Sequence, residues 1–226
     1  MSRKDSVEVP VWRNLLSYIN TIIVALLVTV FIKTFLLQVF LIPSGSMENT
    51  LKIGDHVVVN MLSSHFTTMS RGEVVVFEDP DNWMELPAPI QNSSLKNLLI
   101  KSRLVADPNK PLLIKRVIGV GGDHVICCNS NGKLEVNGVE ITEDAYIHKD
   151  SKPSDTPIDV RVPEGYLFVM GDHRNNSADS RFHTQDINQG FVPASKVLGR
   201  AFITQRGFKL LYLPPANDLV RIQPNK

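Results

Sequence analysis

Ile42-Pro43-Ser44-Gly45-Ser46-Met47-Glu48-Asn49-Thr50-Leu51 follows directly on a long apolar run, then sets a proline, two serines and a glycine side by side before apolar residues return. Pro43 fixes one backbone angle, and Gly45 permits angles that other residues avoid. A turn built this way can hold a serine hydroxyl in one defined direction. Alone it is a weak signal, because most such turns are only turns. Its company gives it weight: a lysine inside an apolar strand, and a polar loop that begins at Gly171-Asp172.

Upstream of this stretch, residues 1–13 are polar and carry Arg3, Lys4 and Arg13. Residues 14–32 hold no charge over 19 positions. As a helix they would span about 28 Å, close to a bilayer core of roughly 30 Å. The pattern predicts a cytoplasmic tail over 1–13, a transmembrane helix over 14–32 and an extracytoplasmic domain over 33–226. The basic residues before the span set that orientation in the plasma membrane. The run is too long for a cleaved signal peptide, and apolar residues resume after Lys33, from Phe35 to Ile42. Ser17, Thr21, Ala25 and Thr29 recur every four residues and read as tolerated within a single span rather than as a helix interface. The collar after Lys33 would lie at the bilayer surface, which favours a substrate held in the same membrane.

Downstream, the net charge of +1 gives no reason to expect a nucleic-acid partner. Gly54-Asp55-His56-Val57-Val58-Val59, Arg71-Gly72-Glu73-Val74-Val75-Val76-Phe77 and Gly122-Asp123-His124-Val125-Ile126 each read as a turn entering a β-branched strand. The fold class is therefore mainly β, a β-rich catalytic domain behind one N-terminal helix. Residues 78–111 and 129–160 interrupt the pattern and read as insertions or a cap. In the first, Leu95, Leu98 and Leu99 fall at helical spacing and are expected to pack on the domain. Cys127 and Cys128 are adjacent on a strand, where neighbouring side chains point to opposite faces, so they read as free thiols without a catalytic role.

The third element of the chemistry is Leu112-Leu113-Ile114-Lys115-Arg116-Val117-Ile118-Gly119. Period two puts Leu113, Lys115 and Val117 on one face. A lysine among apolar neighbours loses hydration, its pKa falls, and the neutral amine can act as a general base. A lysine that reaches the surface or pairs with a carboxylate fits this segment equally well. In the polar loop, Ser177 could orient such an amine, and Asp179 and Arg181 could pair to fix the loop. None of the six histidines has a zinc-protease spacing, and no metal or organic cofactor is expected. A serine-histidine-aspartate triad through His173 or His183 stays open on spacing alone.

Together these segments resemble the bacterial type I signal peptidases, from the anchor to about Ile203. Ser46, just before Met47, matches the family's nucleophile, and Lys115 its general base. Asp55 and the Arg71–Phe77 strand match intermediate boxes. Ser177 matches a lysine-orienting serine, and Asp179 and Arg181 a supporting pair. The resemblance implies that the Ser46 amide and the Ser44 hydroxyl hold the oxyanion. It also implies shallow pockets lined by Phe40, Ile42, Pro43, Met47, Leu51, Leu113 and Ile114. The implied activity is removal of signal peptides from exported preproteins after Ala-X-Ala-like sites. The implied partners are preproteins and the lipid bilayer, with the secretion translocon a further candidate. The chain departs from the family pattern at Asn49, where proline is usual, at Asn175, where aspartate is usual, and at His173, where asparagine is frequent. A self-cleaving serine-lysine repressor and an inactive preprotein-binding module are the alternatives.

Overall fold

The computed structural model describes residues 11–32, 36–62, 68–84, 91, 93–101, 107 and 109–204. Helix α1 (Val11–Phe31) contains the uncharged run except its last residue, Ile32. Its large apolar side chains, among them Ile22, Leu26, Leu27 and Phe31, are exposed. The hydroxyls of Thr21 and Thr29 donate to the carbonyls of Ser17 and Ala25, one turn back on the same helix. Among the described residues no helix is long and apolar enough to cross a membrane. The side chains of residues 11–14 and 16 are outside that description, as is the start of the collar at 33–35.

Among the described residues the body has eleven strands: β1 (Leu37–Leu41), β2 (His56–Asn60), β3 (Val74–Glu78), β4 (Leu112–Val120), β5 (His124–Cys127), β6 (Glu135–Val136), β7 (Val139–Glu140), β8 (Ile158–Arg161), β9 (Tyr166–Met170), β10 (Val192–Pro193) and β11 (Val197–Thr204). Seven form one sheet in the order β1-β2-β11-β3-β4-β9-β10, and four form a second in the order β7-β6-β5-β8. Every pairing is antiparallel. The β-branched runs enter strands where the turn-then-valine pattern predicts, because branched side chains fill both faces of a buried sheet. In β3, Val74 and Val76 pack with Ile42, Met47, Leu51 and Ile114. Val75 and Phe77, on the alternate positions, pack with Leu113, Val117 and Leu167. A third cluster, around Ile118, Val125 and Phe168, lies between the two sheets' strands.

Two expectations need correction. Cys127 and Cys128 are not free thiols but are joined by a disulfide. The expectation assumed a trans peptide, whereas this one is cis, and the two α-carbons lie 2.9 Å apart. Helix α2 (Ser94–Lys101) forms where the leucine spacing predicts, yet it contributes no buried residue, and Leu95 and Leu98 are exposed. Helical spacing defines a face but does not supply a surface to cover it.

Candidate active site

The Ser44–Thr50 turn runs from β1 toward β2. Its backbone is closed by bonds from the Glu48 amide to the Gly45 carbonyl and from the Thr50 amide to the Met47 carbonyl. Met47 and Leu51 are completely buried and anchor the turn in the core. Between them and the exposed Ser44, the Ser46 side chain points inward and is nearly buried.

Lys115 comes from the middle of β4, opposite Val75 of β3. Its amine donates to Ser46 Oγ at 2.7 Å, and Ser44 Oγ lies 3.4 Å from the same oxygen. Lys115 is 4% exposed. Burial lowers its pKa to about 8; the carboxylates of Asp179 and Asp172 oppose the shift, and the Arg181 guanidinium adds to it. Burial wins because an ammonium loses more hydration there than two nearby carboxylates return.

Gly171, at the end of β9, lets two other parts of the site meet. A Cβ here would overlap Ser177 Oγ and the Ser46 carbonyl oxygen. The next residue but one, His173, donates its backbone amide to that same carbonyl at 3.0 Å. Asp179 accepts from the Gly171 amide at 3.0 Å and is held by the Arg181 guanidinium at 2.8 Å. Arg181 also donates to the Arg174 carbonyl, so the pair closes the loop on itself. Ser177 Oγ is buried and has no hydrogen-bond partner among the described residues, so the bond to the lysine amine expected from the sequence is not formed here.

Sequence reasoning missed a second layer beneath these residues. Asp172 accepts two bonds from Arg116, at 2.7 and 2.6 Å, and a further one from the Thr50 hydroxyl. Arg116 also reaches the Gly72 carbonyl and lies over the Tyr146 ring. Arg174 pairs with Glu143 in the same buried region. One signal was present: Lys115 and Arg116 are consecutive on a strand buried on both faces, so at least one carboxylate had to follow them inside.

The three departures from the family pattern share a neighbour. Asn49 has φ +86° and donates to the Ile147 carbonyl. A proline, whose φ is locked near −65°, could not take that conformation. Asn175 donates to the Asp150 carbonyl and accepts from Ser151. His173 stacks on His148, with ring centroids 4.0 Å apart. Together they hold the 147–151 segment, Asn49 against the serine turn and His173 and Asn175 against the loop after β9.

Of the residues expected to line the substrate pockets, Phe40, Ile42, Met47, Leu51 and Ile114 pack in one cluster. Leu113 packs in another, and Pro43 is exposed.

A buried serine bonded to a buried lysine on a largely antiparallel frame defines a mainly-β serine peptidase. The chain belongs to the signal peptidase family, peptidase S26, whose sequence model matches residues 15–205. It is similar to a probable signal peptidase I of Mycobacterium leprae, at 34% identity over 74% of this chain and 68% of that one. Signal peptidase I of Mycobacterium tuberculosis (strain CDC 1551 / Oshkosh) is 33% identical over 86% of this chain and 71% of that one. Probable signal peptidase I-2 of Synechocystis is 35% identical over 81% of this chain and 70% of its own length.

Proposed function

We propose that this chain is a membrane-anchored signal peptidase that cleaves preproteins through Ser46 as nucleophile and Lys115 as general base. The observation that carries the reading is the 2.7 Å contact between a hydroxyl and an amine that burial brings near neutrality. The ammonium donates across that contact. Once the amine is neutral, its lone pair can accept the Ser46 proton over the same distance as Oγ attacks the scissile carbonyl. The Ser46 amide and the Ser44 hydroxyl stabilise the oxyanion. Lys115 then returns the proton to the leaving amine, and afterwards activates the water that opens the acyl-enzyme.

The substrate binds as an extended strand, in which the first and third residues before the cut share a face. Phe40, Ile42 and Ile114 form the pocket wall for small side chains. Met47 and Leu51, being fully buried, support that wall from behind. Pro43 sits at its rim, and Leu113 acts through the packing behind β4.

The anchor of this reading is the uncharged run at 14–32 of the sequence, which extends beyond the described side chains of α1. A helix apolar on all sides is at home in a protein core or in lipid, and the described side chains of α1 are covered by neither core nor sheet. The uncharged run of 19 residues in the sequence is long enough to span. Alkaline carbonate should leave the full chain in the membrane pellet; its release to the supernatant would remove the anchor from the proposal.

The direct test is cleavage of a preprotein with Ala-X-Ala before the cut, in detergent micelles. Wild type should cut after the second alanine, and Ser46→Ala should not. The rate should rise with pH through about 8, because the base works only after losing its proton and burial sets that loss there. A rate falling steadily from about pH 6 to about pH 9, with the protein intact, would contradict a lysine base.

The triad reading is the weaker one. His173 Nδ1 lies 3.2 Å from Glu48, and its ring stacks on His148. His183 bonds Asp186 and stacks on Trp83. Ser46 Oγ has Lys115 and Ser44 as its described hydrogen-bond partners, with no histidine between.

A further inference from the structure

We propose that Glu48, His148 and His173 bind a divalent transition metal of the zinc class, which ties the serine turn to the loop after β9 and to the 147–151 segment. The three residues are far apart in sequence, yet one ligand atom from each lies within 4.8 Å of the others. Tetrahedral zinc with bonds of about 2.0–2.1 Å places its ligand atoms roughly 3.3 Å apart. Glu48 and His173 are already at 3.2 Å. The other separations lie within 4.8 Å, and all three side chains are half-buried, at the surface where an ion can reach them.

The chemistry of the set suits zinc, which takes imidazole nitrogen and carboxylate oxygen together. The imidazoles of His148 and His173 are stacked at 4.0 Å and 17°. The Asp150 carboxylate, 3.9 Å from His148 Nδ1, adds negative charge beside the cluster, while the Asp150 backbone amide donates to that nitrogen at 3.4 Å. The cluster borders a recess of about 330 Å³ lined by Glu48, Asn49, Lys52, His148 and Lys149, which leaves room for a water as fourth ligand. Lys52 and Lys149 weaken cation binding there, and Asp150 with Glu48 offsets them.

The consequence is local and mechanical. Glu48 is two positions from Ser46, and the His173 amide already holds the Ser46 carbonyl. A metal ion on the two side chains adds a second tie between the same segments, without touching the lysine or the serine hydroxyl.

The test uses the full chain in detergent micelles, titrated with Co²⁺ and followed by its visible absorption. One equivalent should bind with a band of tetrahedral character, and Zn²⁺ should displace it. His148→Ala and Glu48→Gln should each weaken binding at least about ten-fold, the scale set by loss of a ligand or its support. His124→Ala, which removes a histidine paired with Asp159 outside the cluster, should leave it unchanged. The idea is overturned if wild type gives no saturable band, or if the band is unaltered in both cluster variants. Either result leaves the serine-lysine reading intact, because that reading is judged by cleavage.

Discussion

Lys115→Ala abolishes preprotein cleavage, with a loss of at least about 10²–10⁴-fold, while the domain stays folded. The size follows from what the amine does: among the described residues, no other basic group bonds to Ser46 Oγ to take the proton. The fold survives because the substitution removes a buried charge whose hydration folding had already sacrificed. Lys115→Met separates chemistry from packing. It keeps the apolar stem against β3 and should be as inactive as the alanine variant. Initial rates on one preprotein, with circular dichroism on the same samples, decide it. Full activity in a folded Lys115→Ala protein would remove lysine from the mechanism.

Asp172→Ala destabilises the domain by about 3–5 kcal/mol, the cost of leaving one partner of a buried pair alone. Arg116, 1% exposed, would keep its charge and lose both bonds to the carboxylate. Thr50 would lose its acceptor at the same time, which loosens the far end of the serine turn. Urea unfolding in detergent should show the midpoint falling by about 1–2 M. Asp172→Asn should cost less, since the amide oxygen still accepts. It carries a second signature: Asp172 holds the Lys115 pKa up, so removing its charge should move the pH midpoint of the remaining activity downward. A stability change under about 1 kcal/mol for the alanine variant would mean that water reaches the guanidinium.

Much of the fold was legible because its strands announce themselves. His56–Asn60, Val74–Glu78 and His124–Cys127 follow Gly or Asp turns and carry β-branched runs. Their order was not legible. The last strand, Val197–Thr204, inserts between β2 and β3, and no local pattern records which edges a strand will join. At the site, Ser46 and Lys115 could be named through the family resemblance. The partner of Arg116 could not, because nothing in the sequence selects Asp172 from the 23 acidic residues. Ser177, read as orienting the lysine amine, lies against Gly171, and among the described residues its hydroxyl has no hydrogen-bond partner. The cysteine pair was misread because alternation along a strand presumes trans peptides.

The Thr50–Asp172 bond joins residues 122 positions apart, and the Lys115–Ser46 contact joins residues 69 apart. During synthesis the serine turn and the lysine strand therefore emerge well before the carboxylate that braces them. A nascent chain that has not yet reached position 172 holds both reactive groups but lacks the strut that sets their geometry. The enzyme's birth order thus works as a safety catch: a half-made peptidase stands among precursors with its chemistry not yet armed.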